Sequence, residues 1–97
     1  MSDLLQHIQS LIGQGEVRIS EHGYDELAAD SISAREAVAG VADAVVVEEY
    51  AAYAKGPAVL VLQRDESEQV IHILWGIPAG KSTPAVLVTA YRPDPLR

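Results

Sequence analysis

Pro57-Ala58-Val59-Leu60-Val61-Leu62-Gln63-Arg64, then Asp65-Glu66-Ser67-Glu68, then Val70-Ile71-His72-Ile73-Leu74-Trp75 is the stretch on which the fold turns. The first run is almost continuously apolar and of strand length, and the second alternates around a histidine. The polar link between them is too short for a crossover, so the two runs return on each other as antiparallel neighbours. Outward from this hairpin, Val45-Val46-Val47-Glu48-Glu49-Tyr50 is rich in β-branched residues and reads as a preceding strand. Ala51 to Gly56 is a small-residue connection. Ile77 to Pro84 is a loop, and Ala85-Val86-Leu87-Val88-Thr89-Ala90-Tyr91 is a last strand, stopped by Pro93, which has no N–H to donate.

The first half has helical spacing instead. Leu4, Leu5, Ile8, Leu11 and Ile12 share one face of a helix from Ser2 to Ile12 that ends at Gly13 and Gly15. Val17-Arg18-Ile19 is a short extended piece. Ser20 caps a second helix reaching about Asp30, with Tyr24, Leu27 and Ala28 expected inward and an acidic outer face. Ser33-Ala34-Arg35-Glu36 has the capping-box pattern, with Ile32 placed to staple onto Ala37. The third helix then turns Ala37, Val38 and Val41 inward, stops near Ala42, and leads through Asp43 into the strands. The expected fold is therefore α+β, with N-terminal helices packed on one face of a four-stranded antiparallel sheet.

Composition bounds the function. At 97 residues the chain is expected to be one domain spanning 1–97, long enough to bury a single core. With five aromatics and no phenylalanine, that core must be mostly aliphatic. The absence of cysteine removes thiol chemistry and suits a reducing compartment. No basic-plus-apolar leader opens the chain, and no apolar run is long enough to span a bilayer, so a cytoplasmic protein without membrane contact is expected. The formal charge of −7, with seven dispersed basic residues, opposes a nucleic-acid partner, whose phosphates are usually met by Lys and Arg.

Four features bear on chemistry. Gly76-Ile77-Pro78-Ala79-Gly80-Lys81-Ser82-Thr83 resembles a phosphate-binding loop in composition only: the glycines are one residue too close, Pro78 removes a donor, and a strand follows where a helix is needed. His22 lies three and four residues before Asp25 and Glu26, a spacing at which a carboxylate orients an imidazole; the plain alternative is a local contact on a surface helix. With no second histidine at helical spacing, and with His7 and His72 completing no ligand motif, no metal site and no cofactor is expected. His72 shares a strand face with Val70 and Leu74, as either a hydrogen-bonded core residue or a site residue on an open face. Tyr91 and Arg92 leave the last strand on opposite faces; Arg92 is suited to a bidentate anion contact, or equally to a salt bridge with Asp94 or a helix carboxylate.

Taken together, Ser20-Glu21-His22, Ile32-Ser33, Asp43 into Glu49-Tyr50, Gly56-Pro57, Val70-Ile71-His72-Ile73 and the closing Thr89-Ala90-Tyr91-Arg92-Pro93-Asp94-Pro95 resemble domain-of-unknown-function family 4258 over about residues 15 to 97. That family is similar in plan to the RelE-like and BrnT-like toxins of bacterial toxin–antitoxin pairs. The resemblance implies two N-terminal helices on a four-stranded antiparallel sheet and, for activity, metal-independent RNA cleavage with His22, His72, Tyr91 and Arg92 as catalytic residues; Glu26, the carboxylate spaced to meet His22, is the candidate binding residue. Two departures weigh against RNA contact: the acidic charge, and Glu26 where relatives often carry arginine four residues after the histidine. The expected function is thus a non-catalytic module that binds a protein partner, antitoxin-like or a second copy, or a small ligand. A toxin-like endoribonuclease is the alternative.

Overall fold

The hairpin read from Pro57 to Trp75 forms the middle of the sheet. The computed structural model describes residues 2–93; Asp94, Pro95 and Arg97, which belong to the closing motif and the basic inventory, lie outside them. Strand β2 (Val45–Tyr50) pairs antiparallel with β3 (Ala58–Arg64), β3 with β4 (Val70–Gly76), and β4 with β5 (Ala85–Tyr91). Before them come helix α1 (Asp3–Gly13), strand β1 (Val17–Ile19), helix α2 (Glu21–Ala29), helix α3 (Ala34–Ala39) and a tight 3-10 turn, Gly40–Asp43.

The expected four-stranded antiparallel sheet is corrected here to five strands of mixed direction. Val17-Arg18-Ile19 joins the sheet parallel to β5, in the order β1-β5-β4-β3-β2, with Val17 beside Ala85 and Ile19 beside Leu87. Without it, the outer edge of β5 would leave its backbone donors and acceptors unpaired, and three residues with β-branched ends suffice to satisfy them. The two N-terminal helices implied by the resemblance are likewise three.

Period-two alternation sorts the strands. Val59, Val61 and Gln63 on β3 and Ile71, Ile73 and Trp75 on β4 face the helices and are buried. On the same side α1 contributes Leu5, Ile8 and Leu11, α2 Leu27, and α3 with its 3-10 turn Ala37 and Val41. A bulge on β5 at Val88 changes the phase, so that Leu87 and Ala90 both reach this core. The opposite face, with Leu60, Leu62, Leu74 and Val88 half-buried, carries no helix.

Helix α2 is rotated from its expected orientation. Tyr24 and Ala28 are exposed, and Gly23 and Leu27 are the buried pair. Gly23 explains the rotation: a Cβ there would stand 2.8 Å from the Leu87 carbonyl oxygen, so only glycine lets the helix lie this close to β5. The Ser20 amide donates to Leu87 O, and its hydroxyl donates to Val88 O while accepting from the Gly23 amide. Where β1 stops, α2 continues as the cover of the β5 edge. Ser33 caps α3 as expected, accepting from the Glu36 amide. The reciprocal half of the capping box does not form: Glu36 accepts from the Ser33 hydroxyl and the Glu66 amide, tying α3 to the β3–β4 turn. Among the described residues no helix is long and apolar enough to cross a membrane.

Candidate functional site

His72 and Tyr91 are direct cross-strand partners on the uncovered face. Their rings meet edge to face at 5.3 Å, and His72 Nδ1 lies 3.2 Å from the Tyr91 hydroxyl. Of the two positions open to His72 in the sequence, the structure takes the open face, because Ile71, Ile73 and Trp75 fill the alternate phase. Tyr91 is 38% exposed. The pair can pass a proton between an imidazole and a phenol at the surface.

His22 and Glu26 form a separate pair. His22 Nε2 is 3.5 Å from Glu26 Oε1, and both sit on the exposed side of α2. Asp25 makes no ion pair with His22 among the described residues. No hydrogen bond or ion pair joins His22 or Glu26 to His72 or Tyr91 among the described residues.

Arg92 turns away from Tyr91, as strand alternation requires, and is committed to the protein itself. Its amide donates to Asp30 Oδ2 at 2.8 Å, its Nε donates to Asp30 O at 3.2 Å, and its Nη1 lies 2.9 Å from Asp65 Oδ2. The salt-bridge alternative read for Arg92 is thus present, with Asp65 at the β3–β4 turn as its partner; the alternative partner Asp94 lies outside the described residues. Asp65 Oδ1 also accepts from the Ser67 and Gln69 amides. The Gln69 amide above all, then the Arg92 guanidinium and the Ser67 amide, hold the Asp65 carboxyl below the usual carboxylate range, against the opposing effect of burial. Arg92 therefore clamps the end of α2 to the β3–β4 turn. The five candidate residues fall in three places: a surface pair on α2, a surface pair on the sheet, and a structural clamp.

Asp30 and Asp65 carry no signal in the sequence that points to this clamp. Gln63 alone carried a signal, as an amide in the core phase of an apolar strand: its Nε2 donates to Ala37 O at 2.8 Å, and its Oε1 accepts from Trp75 Nε1 at 2.9 Å.

Charge is segregated in a way that net charge hides. By register, Arg18, Arg64 and His72 lie on the uncovered face, where Glu48 is the one strand acid among the described residues. Asp3, Glu21, Asp25, Glu26 and Glu36 are on helices. A different edge is acidic: β2 is the outermost strand, with Val45 and Val47 62% and 50% exposed beside Glu48 and Glu49. Glu48 accepts from the Tyr50 hydroxyl, which raises the Tyr50 pKa, and Glu49 accepts from the Ser2 hydroxyl; neither meets a cation among the described residues.

A small α+β domain with a bare sheet face and an open edge along β2 is the class these features define. The chain belongs to the family Domain of unknown function (DUF4258), whose profile matches residues 19–92. The match starts after α1 and ends at Arg92. No curated protein and no solved structure is detectably similar to the chain.

Proposed function

We propose that this domain is a non-catalytic binding module that takes an extended, basic segment of a partner protein as an added strand along β2. The observation that carries this reading is the open edge itself: β2 offers unpaired backbone groups, two exposed valines and two carboxylates with no cation. The opposite edge, β1, is only three residues long, and beyond it α2 covers β5. A second copy fits β2 poorly, since two-fold antiparallel pairing brings Glu48 and Glu49 of both copies close to the axis, and the bulge between Val46 and Glu48 interrupts a continuous ladder. A basic strand escapes the charge objection, and the bulge limits both kinds of partner alike. The lack of cysteine fits a reducing, cytoplasmic setting, and the order of helices then sheet fits a RelE-like plan and an antitoxin-like partner.

The test is protection of the Val45 to Tyr50 amides from hydrogen exchange by a short synthetic peptide alternating valine with lysine. The basic peptide protects these amides, its valine–glutamate counterpart does not, and the Glu48→Lys, Glu49→Lys double variant reverses the preference. Equal protection by both peptides, or by neither, removes the reading.

One observation favours the alternative of a toxin-like, metal-independent endoribonuclease: the His72–Tyr91 pair stands on the face that also bears Arg18 and Arg64. Arg92 is not free to steady developing charge in this arrangement. RNA cleavage by the purified protein, with growth arrest on expression that His72→Ala abolishes, would establish that reading instead.

A further inference from the structure

A groove of about 220 Å3 opens on the uncovered face, where the connection between Tyr53 and Gly56 and the loop after β4 overhang the sheet. Its floor is apolar and shallow in side chains, formed by Gly76, Val86 and Val88. A Cβ on Gly76 would stand 3.5 Å from Val88 Cγ2, so the missing side chain contributes to the depth. Gly56 holds the overhang close: its φ is +123°, and a Cβ there would collide with the Ile77 carbonyl oxygen. Two cations, Arg18 and Lys55, line the groove with the half-exposed ring of Tyr53, and no carboxylate does.

Both cations are exposed at the groove and open to a ligand. The chain has fourteen acidic residues, yet among the described residues neither Arg18 nor Lys55 makes an ion pair or a side-chain hydrogen bond. Glu16, two residues before Arg18, does not reach it within ion-pair distance. The Arg18 backbone is held in register beside Val86 by β1, which sets its exposed side chain at the mouth of the groove. A planar guanidinium and an ammonium beside an apolar floor with an aromatic wall are complementary to one kind of molecule, with an anionic head and an apolar body.

We propose that this groove binds a small organic anion, a monocyclic aromatic carboxylate or phosphate monoester. The ring lies on the Gly76, Val86 and Val88 floor beside Tyr53, and the acid group lies between Arg18 and Lys55. The volume is below the roughly 300–1,000 Å3 typical of clefts for drug-sized ligands, which limits the body to about one ring. The proposal does not depend on strand addition at β2, whose partner would meet a different edge.

The experiment is a titration of the isotopically labelled full chain with phenyl phosphate, followed by amide chemical shifts, with benzyl alcohol and inorganic phosphate as the two halves of the ligand. Phenyl phosphate moves the resonances of Arg18, Gly56, Gly76 and Val88, and binds at least about tenfold more tightly than either half. Arg18→Glu and Lys55→Glu each weaken phenyl phosphate by roughly tenfold, while weak benzyl alcohol binding persists and reports an intact groove. Arg18→Lys retains most of the affinity. Lys55 is on an exposed connection, so its variant separates loss of charge from loss of fold. Benzyl alcohol binding as well as phenyl phosphate, shifts centred elsewhere, or indifference to both charge reversals overturns the proposal. None of these outcomes bears on the β2 amides.

Discussion

Gln63 shares its face of β3 with Val59 and Val61 and is 1% exposed, so both of its side-chain hydrogen bonds are buried. Gln63→Leu keeps the shape but strands the Trp75 indole N–H and the Ala37 carbonyl. The expected cost is about 2–4 kcal/mol, since each orphaned buried group costs about 1–3 kcal/mol; urea unfolding measures it. Combining it with Trp75→Phe removes one orphan, so the double variant loses less than the sum of the single ones. Asp65 gives a pH dependence at the same scale. Its carboxyl is held below the ordinary range in the folded state, so in acid the unfolded chain takes up the proton first. Its stabilising effect is complete above about pH 4 and is lost as pH falls through the lower, folded value. The stability gap between wild type and Asp65→Asn is therefore widest near about pH 6 and narrows in acid. A gap that does not change with pH would show that the clamp makes no use of the charge.

At the scale of elements, α2 sets helix preference against packing. Gly23→Ala improves intrinsic helix formation by about 1 kcal/mol, but its methyl group meets a backbone carbonyl at 2.8 Å and the Leu87 side chain at 2.9 Å. Overpacking of this kind costs about 1–3 kcal/mol, and the contact here is with backbone that cannot swing aside. The substitution is expected to destabilise by about 1–2 kcal/mol net, as a lower urea midpoint. The same glycine accounts for what the sequence concealed in α2: Tyr24 and Ala28 fit an apolar face by spacing, whereas the buried face was the one with the least side chain. Strands β2 to β5 were legible because alternation and polar turns report on neighbours close in the chain. The partner of β1 was not, since three residues carry too little pattern to name a strand 68 positions away. The candidate residues were found where they stand, but the carboxylates that claim Arg92 come from a helix end and a turn, and spacing along the chain says nothing about that meeting.

For the molecule as a whole, α1 matters out of proportion to the shared family segment, which begins at residue 19. It buries Leu5, Ile8 and Leu11 against the sheet, and His7 Nε2 and Gln9 Nε2 tie it to Ser82 O and Val41 O. Three such side chains are worth roughly 5–9 kcal/mol together at about 1.5–3 kcal/mol each, against a typical total stability of about 5–15 kcal/mol. A chain beginning at residue 14 is thus expected to lose cooperative unfolding and the near-ultraviolet signal of Trp75, and a sharp transition from that chain would contradict the estimate.

The place of β1 in the sheet also sets a clock on synthesis. Val17 to Ile19 can settle only beside Ala85 to Leu87, and at roughly 5–20 residues per second a ribosome needs on the order of 3–14 s to make the intervening chain. Isolated helices as short as α1 and α2 are marginal in water, and for that interval both segments lack the β5 surface on which they pack. For those seconds Leu5, Ile8, Leu11 and Leu27 are without their full burial, and such apolar surface is what a chaperone at the tunnel exit recognises.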